Sequence, residues 1–463
     1  MKSINRFTGM AGIALLLGAC GGGDEAFNFP EATKYTFDVS NFSSNSAGLT
    51  STYFPMTPGK SMIYEGDTDE GKERIEIYVS HETKTILGVE SAIVVDRAYL
   101  NSKLVEETFD WYARDNNGDT WYMGEASHDY ENGKIVTTKG SWEAGKDIAN
   151  KGHIAKAGIL IFDQPVVDSI YFQEYYENEA TDSAQVIRLD ANVKLSDGTS
   201  ATALQTKEWN PLEPDGFEYK YYVAGTVLVL ETDEDGEEPI RLISSADQKT
   251  PNIKASNFTN PTTIDNIYFP LIPGTKLTYE IDTDEGKELT VTEVLASTRN
   301  VMAINNVVVR DQVSLDGVII DDTHDWFAQD NNGNVWYFGE EVDNYNYDDN
   351  GILINITHEG AWEAGVDGAQ PGIFMMSNPR VGDSYRQEYY AGEAEDLAAV
   401  SERDVAITLS DGSQHQTLKI KEWDPLNPDT GFEYKYFALG IGMVREENET
   451  GDEQIDLIER VVP

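Results

Sequence analysis

The chain carries one series of motifs twice, and this duplication restricts its fold more than any other feature. DTDEGKE occurs unchanged at 67–73 and 282–288, which lie 215 residues apart. All eight tryptophans form matched pairs across the two copies, namely Trp111/Trp326, Trp121/Trp336, Trp142/Trp362 and Trp209/Trp423. A unit of this length far exceeds a solenoid repeat, so the sequence predicts two homologous domains.

The repeated motifs also predict where the domains begin and end. A polar segment, ADQKTPNIKASNFTN at 246–260, separates the last motif of the first copy from the main motifs of the second. We predict a signal peptide at 1–19, a lipidated cysteine with a flexible tether at 20–38, and the first domain at 39–246. The second domain is predicted at 247–463, with its homologous region starting near 255.

The first twenty residues predict export. Lys2 and Arg6 precede a short apolar run, and Leu17-Gly18-Ala19-Cys20 follows it. This order resembles the lipobox of bacterial lipoproteins. The resemblance implies cleavage before Cys20, acylation of that cysteine, and anchoring by acyl chains such as palmitate. Because Gly21 rather than Asp follows the cysteine, the resemblance favours the outer membrane; whether the protein faces the periplasm or the outside stays open.

Within each copy the pattern is that of β-strands. RIEIYV and ELTVTEV alternate apolar and polar residues, and TVLVL is a short apolar run. Asn-Gly and Asp-Gly dipeptides, typical of tight hairpin turns, are frequent. The best helix candidate is the single stretch GEAEDLAAV at 392–400. The sequence therefore predicts an all-β, mainly antiparallel protein with two tandem homologous sandwich or open-barrel domains.

The ordered motifs YFP..PG, DWYA.DNNG..WY.GE, WEAG, QEYY and KEW.PL resemble a β domain of secreted and lipid-anchored bacterial proteins. We know no established activity for that family, so the resemblance implies secretion and a β fold but no reaction. The strand and turn pattern is also similar to that of periplasmic open barrels that hold lipids, such as the LolA type.

The longest repeated motif predicts two facing carboxylates. With Asn117-Gly118 as a two-residue turn, Asp110 lies opposite Glu125. The same register in the second copy places Asp325 opposite Glu340. It also places Trp121, and its counterpart Trp336, on the face of the carboxylates, which makes both tryptophans candidates for contact with a ligand.

Like charges directly opposite each other destabilise a sheet, so something is expected to compensate for them. A salt bridge to Lys207 or Lys220, a shared proton, a splayed geometry and a hard cation such as calcium all remain open. Under the calcium hypothesis the metal ligands are Asp110, Glu125, Asp325 and Glu340. DTDEGKE departs from the EF-hand pattern, because its glycine is in the fifth position, and a hairpin turn at Glu70-Gly71 is the better interpretation.

Charge and motif content restrict the function. Lys plus Arg is 34 and Asp plus Glu is 82, for a net charge of −48, which argues against nucleic acid and anionic head groups as partners. None of the six histidines has a counterpart in the other copy, and no GxSxG or HExxH occurs, so we predict that the protein is not an enzyme.

These observations favour a lipid-anchored binding or structural protein of the cell envelope, with calcium as a candidate stabilising ion and with an unknown ligand or protein partner. One alternative is a carrier of a lipid or other hydrophobic ligand in an open β-barrel. A second alternative is a glycan-active hydrolase that uses the paired carboxylates.

Overall fold

A computed structural model describes residues 29–463, except for 69, 213–215, 238, 284–285 and 349. The predicted signal peptide, Cys20 and the first part of the tether lie outside the described residues, so lipidation stays a prediction. The chain divides into two compact units, Met1–Ala246 and Asp247–Pro463.

The first unit is built from strands, with a 3-10 helix at Val39–Asn41. The strands are β1 (Leu49–Thr50), β2 (Pro55–Met56), β3 (Lys60–Thr68), β4 (Gly71–Ile86), β5 (Val89–Leu100), β6 (Lys103–Arg114), β7 (Thr120–Glu131), β8 (Lys134–Thr137), β9 (Trp142–Glu143), β10 (Lys156–Ile161), β11 (Ile170–Phe172), β12 (Glu174–Tyr175), β13 (Ser183–Lys194), β14 (Ser200–Trp209), β15 (Glu218–Val223), β16 (Leu228–Thr232) and β17 (Ile240–Asp247).

The second unit repeats the succession from β3 to β17, and an isolated bridge between Ile264 and Leu271 takes the place of β1 and β2. Its 3-10 helices are at Ala255–Asn257 and Pro428–Thr430. The strands are β18 (Lys276–Thr283), β19 (Gly286–Val301), β20 (Ile304–Leu315), β21 (Val318–Gln329), β22 (Val335–Tyr347), β23 (Leu353–Thr357), β24 (Trp362–Glu363), β25 (Gln370–Met375), β26 (Ser384–Arg386), β27 (Glu388–Tyr389), β28 (Leu397–Thr408), β29 (Gln414–Trp423), β30 (Glu433–Ala438), β31 (Gly442–Asn448) and β32 (Gln454–Val461).

Each unit forms one antiparallel sheet that curls into a nearly closed barrel. In the first unit the strand order is β11-β13-β14-β15-β16-β17-β3-β4-β5-β6-β7-β10-β12. The two ends of this order, β11 and β12, are separated in the chain only by Gln173. The backbone of Gln173 approaches β10 so closely that a Cβ on Gly158 would lie 2.2 Å from its carbonyl oxygen. The prediction of two tandem all-β domains, in its open-barrel form, is confirmed.

Alternation along the long strands directs one face inward. On β4, Glu73, Ile75, Ile77 and Val79 are buried, while the residues between them are more exposed. Because successive side chains of a strand point to opposite faces, this pattern places a mixed row of apolar and acidic side chains inside the barrel. The acidic side chains of such rows form the candidate functional site inside each barrel.

The apolar core differs between the units. In the first unit Tyr64, Ile75, Ile77 and Leu228 belong to one large cluster of buried residues. In the second unit the corresponding region is divided, because Tyr279 belongs to a separate cluster from Phe327 and Phe437. The second barrel therefore has a gap in its core where the first barrel is continuous.

Two local predictions are corrected. The helix candidate at 392–400 is not helical, since Ala394 pairs with Tyr390 in an isolated bridge and Leu397 begins β28. The DTDEGKE motif does form a hairpin, but Thr68 pairs with Gly71, which makes Gly71 the first residue of β4 rather than part of the turn. In the described part of the chain, no helix has the length and apolar character needed to cross a membrane.

Candidate functional site

The structure pairs the repeated carboxylates as the sequence predicts. Asp110 on β6 lies opposite Glu125 on β7, and Asp325 on β21 lies opposite Glu340 on β22. In the first unit both side chains are inside the barrel, with exposed fractions of 0% for Asp110 and 1% for Glu125. Burial makes their charges costly, because water no longer screens them.

The register that creates this pair differs from the predicted one. Arg114 pairs with Thr120, and Asp115 is hydrogen-bonded to Asp119, so the hairpin loop has three central residues rather than two. A bulge follows between Trp111 and Tyr112, and it restores the expected partner of Asp110. The pairing prediction is therefore confirmed although the predicted turn is wrong, because the two one-residue shifts cancel.

The bulge also changes which aromatic side chain reaches the carboxylates. The predicted register places Trp121 on the carboxylate face and hence the adjacent Tyr122 on the opposite face. In the structure, however, the Tyr122 hydroxyl lies 2.5 Å from Asp110 Oδ1 and 2.9 Å from Glu125 Oε2. A hydroxyl has one hydrogen, so both short contacts are satisfied only when one carboxyl is protonated and donates to the tyrosine oxygen. Burial, together with the charge of Asp110, raises the pKa of Glu125 well above its usual range, so Glu125 is readily protonated in the folded unit. A shared proton thus compensates for the facing charges.

The predicted face of the two ligand-contact candidates is wrong. Trp121 is only 5% exposed; its indole nitrogen donates to Asp115 at 3.2 Å, and its ring packs against Phe37 and Phe42. Trp336 donates in the same way to Asp330, at 3.0 Å. These contacts stabilise the hairpin loops on the face of the sheet opposite to the paired carboxylates. Contact of either tryptophan with a ligand stays an untested prediction.

Further acids join the paired carboxylates. Glu174, from the repeated QEYY motif, is buried, and the charges of Asp182 and Glu125 add to the rise in its pKa. In the second unit, Glu388 occupies the equivalent position. Burial raises the pKa of Glu388, and the negative charges of Asp396 and Glu340 raise it further. The sequence shows that these glutamates are repeated, but it does not indicate that they belong to the site.

Across the described ranges, no group of three or more His, Cys, Asp and Glu side chains is arranged to hold a metal ion. Calcium binding stays a prediction.

A buried lysine forms the centre of a second acidic group. Lys220 on β15 is fully buried, and its ammonium nitrogen lies 3.0 Å from Glu218, 3.3 Å from Glu208 and 3.7 Å from Glu231. Lys435 occupies the same position in the second unit, but its side chain is 22% exposed. Lys220 is thus surrounded by the carboxylates of three other glutamates, while the hydroxyl of Tyr122 lies within hydrogen-bond distance of both Asp110 and Glu125.

The gap in the core of the second unit is a cavity of about 360 Å³. Its apolar lining comes from eight strands and from residues between strands. It includes rings that pack against one another; Phe327 lies 4.9 Å from Tyr337 and 4.9 Å from Phe374. The apolar lining residues are Phe269, Pro270, Leu271, Leu277, Val294, Val309, Phe327, Phe374, Phe437, Ile441, Met443 and Ile455.

The cavity also has a polar patch, formed by Asp311, Asp325, Lys435 and Glu446. Asp325 and Asp311 are hydrogen-bonded through their side chains; Tyr337 donates to Asp325 at 2.6 Å, and the hydroxyl of Thr292 donates to Asp311. Burial raises the pKa of Asp325 well above its usual range, with a further contribution from the charge of Asp311. Burial raises the pKa of Asp311 as well, so this hydrogen-bonded pair retains a proton more readily than free carboxyl groups do.

Three substitutions between the copies account for the cavity. At the positions of Thr290 and Thr292 the first unit has Ile75 and Ile77, each only 1% exposed, and at the position of Gly442 it has Val227, with an exposed fraction of 0%. These larger apolar side chains belong to the continuous core of the first unit. In the second unit, Thr290, Thr292 and Gly442 are too small to fill the space that these side chains occupy in the first unit. All three residues line the cavity.

Comparison with known proteins gives little further information. No protein-family model matches the chain, and no curated protein matches it either. A solved structure from Bacteroides fragilis, described as a candidate exported protein with a YmcC-like fold, aligns with 42% of this chain and 99% of its own. The sequence identity is 13% and the TM-score is 0.25, and at that TM-score the likeness carries no argument about function.

Proposed function

We propose that this protein is a lipid-anchored, extracytoplasmic binding protein whose second unit holds an amphipathic small molecule inside its barrel. The cavity of about 360 Å³ is the observation that supports this proposal. Well-packed protein interiors leave few voids larger than a water molecule, whereas ligand pockets have volumes of about 300–1,000 Å³. Of the functions that the sequence left open, a carrier of a hydrophobic ligand therefore fits best.

The lining of the cavity agrees with this function. Pockets for small ligands are mostly apolar and aromatic, with a few polar groups that orient the ligand. Here phenylalanine rings such as Phe327 and Phe374 supply the apolar surface, and Asp311, Asp325 and Lys435 supply the polar groups. A ligand with an apolar body and one polar group would match both parts.

The paired carboxylates argue against glycoside hydrolysis. That reaction needs two carboxyl groups in an open cleft, separated by about 5–10 Å so that substrate or water fits between them. Asp110 and Glu125 are instead buried and held together through the hydroxyl of Tyr122. Their geometry favours a structural role.

The proposed location rests on the N-terminal sequence. Leu17-Gly18-Ala19-Cys20 would place acyl chains on Cys20, and residues after it would link the anchor to the first unit. Metabolic labelling with a palmitate analogue tests this, since Cys20→Ser should abolish the label. Label retained in the C20S variant would refute the proposed anchor.

Binding can be tested with a neutral fluorescent dye such as Nile red, titrated into residues 21–463. We expect saturable binding of about one dye per chain. The double variant Thr290→Ile/Thr292→Ile introduces the residues that the first unit carries, and it should weaken binding at least about tenfold by filling the cavity.

Thr298→Ile is the matched control, because Thr298 is exposed on the same strand, β19, and does not line the cavity. It should leave dye affinity unchanged. Lack of saturable binding, or equal weakening in both variants, would refute the proposed site. Circular dichroism of each variant verifies that the fold is retained.

A further inference from the structure

The polar patch of the cavity has an excess of negative charge. It contains the carboxyl groups of Asp311, Asp325 and Glu446, and only one base, Lys435. Asp325 and Asp311 are hydrogen-bonded to each other, and burial raises the pKa of both. Glu288, a further acid, also lines the cavity.

Lys435 does not offset this charge, because carboxylates already surround it. Its ammonium nitrogen lies 2.7 Å from Glu422, 2.9 Å from Glu433 and 3.7 Å from Glu446. A ligand carboxylate or sulfate that approached Lys435 would meet those three acids at close range. Such repulsion is stronger near a protein surface than in bulk water, because the effective dielectric constant is lower there.

Aromatic rings surround the same space. Phe269 lies 4.5 Å from Phe374 and 5.3 Å from Phe327, and Phe327 stacks on Tyr337, whose hydroxyl donates to Asp325. The faces of aromatic rings attract cations through their quadrupoles. A cavity that combines such rings with acidic groups suits an alkylated ammonium ion.

We propose that the ligand of the second unit is a cationic amphiphile, with one ammonium group directed to Asp311 and Asp325 and an apolar body against the phenylalanine rings. This inference rests on the proposed binding function and specifies the chemical class of its ligand. It also excludes fatty acids and other anionic lipids as the preferred ligands.

Competition against the bound neutral dye tests the inference. Octyltrimethylammonium, octanol and octanoate have the same apolar chain and differ in the charge of the polar group. We expect the ammonium compound to displace the dye at a concentration at least about tenfold lower than octanoate, with octanol between them.

Non-specific attraction has to be separated from binding in the cavity, since the chain has a net charge of −48. Measurements at about 0.5 M salt screen exposed charges, for which the Debye length is then only a few ångströms. The double variant Asp311→Asn/Asp325→Asn removes both carboxyl groups of the pair, and it should reduce the preference for ammonium over octanoate to about threefold or less. Asp110→Asn, at the matched position of the first unit, should retain it.

The outcomes distinguish the two proposals. If the dye binds but octanoate competes as well as the ammonium compound, the charge inference is wrong and the binding function stands. A preference that persists in the double variant Asp311→Asn/Asp325→Asn would likewise overturn the inference. If the dye itself does not bind, the proposed function fails and the inference fails with it.

Discussion

The hydroxyl of Tyr122 donates a 2.5 Å hydrogen bond to Asp110, a residue of the neighbouring strand that faces Glu125 rather than Tyr122 itself. This contact allows two buried carboxyl groups to remain side by side. The same relationship recurs between Tyr337 and Asp325 at 2.6 Å. In both units the hydrogen bond depends on a bulge that turns the tyrosine toward the carboxylates.

Replacing Tyr122 with Phe should destabilise the first unit by about 1–3 kcal/mol, because the variant removes the hydroxyl that both carboxyl groups contact. Chemical denaturation monitored by tryptophan fluorescence measures the change. Tyr35→Phe is the control, since Tyr35 is 43% exposed, and it should be nearly neutral. Equal stability of the Y122F variant and the wild type would contradict the role of this hydrogen bond.

Gly124 forms part of the bulged segment, and we expect Gly124→Ala to be severely destabilising. Its φ is +138°, and a Cβ there would lie 2.4 Å from the carbonyl oxygen of Trp142. Gly133→Ala is the matched control, because Gly133 also has a positive φ, +75°, but nothing within 4 Å of an added Cβ. Left-handed strain alone costs about 1–3 kcal/mol, so the control should lose that amount at most. The melting temperatures of the two variants test this prediction. Similar melting temperatures would contradict the view that the close approach of the Trp142 carbonyl requires glycine at position 124.

Lys220→Met should destabilise the first unit by about 3–5 kcal/mol. The variant removes the positive charge from three buried glutamates, and breaking a buried ion group leaves uncompensated charge. Lys435→Met should cost less, because Lys435 is partly exposed to water. Lys146→Met is the control: Lys146 also contacts a glutamate, Glu143 at 2.6 Å, but 59% of its side chain is exposed. Urea denaturation should show a loss below about 1 kcal/mol for that control. A neutral effect of K220M would contradict the ionic role of the buried lysine.

Glu340 predicts a pH dependence for the second unit. Burial raises the pKa of Glu340 from 4.5 to about 7, so the folded unit holds this proton more tightly than the unfolded chain does. The corresponding stability is fully present below about pH 4.5 and is lost as pH rises through about 7. The shift corresponds to about 3 kcal/mol.

Glu340→Gln should therefore be more stable than the wild type at pH 8, and this difference should shrink toward pH 5. Free energies of unfolding measured at several pH values give the stability difference between the variant and the wild type and show how that difference changes with pH. Glu359→Gln, an exposed position, should follow the wild type across the range. A difference between E340Q and the wild type that does not change with pH would contradict the raised pKa.

The sequence by itself determined the duplication, the all-β class and the pairing of Asp110 with Glu125. Matched tryptophans and repeated motifs are visible without coordinates, and alternation with frequent turn dipeptides is a local property of strands. Pairing of Asp110 was predicted correctly only because a longer loop and a bulge shift the register in opposite directions.

Only the tertiary structure decided which side chains meet inside each barrel. A single bulge exchanged the faces of Trp121 and Tyr122, since one inserted residue reverses the alternation on its strand. Lys220 meets glutamates from β14, β15 and β16, and these contacts depend on the order of strands. The cavity also depends on the tertiary structure. Thr290 on β19 and Gly442 on β31 are far apart in sequence, and only the curl of the sheet places these two small residues around the same space.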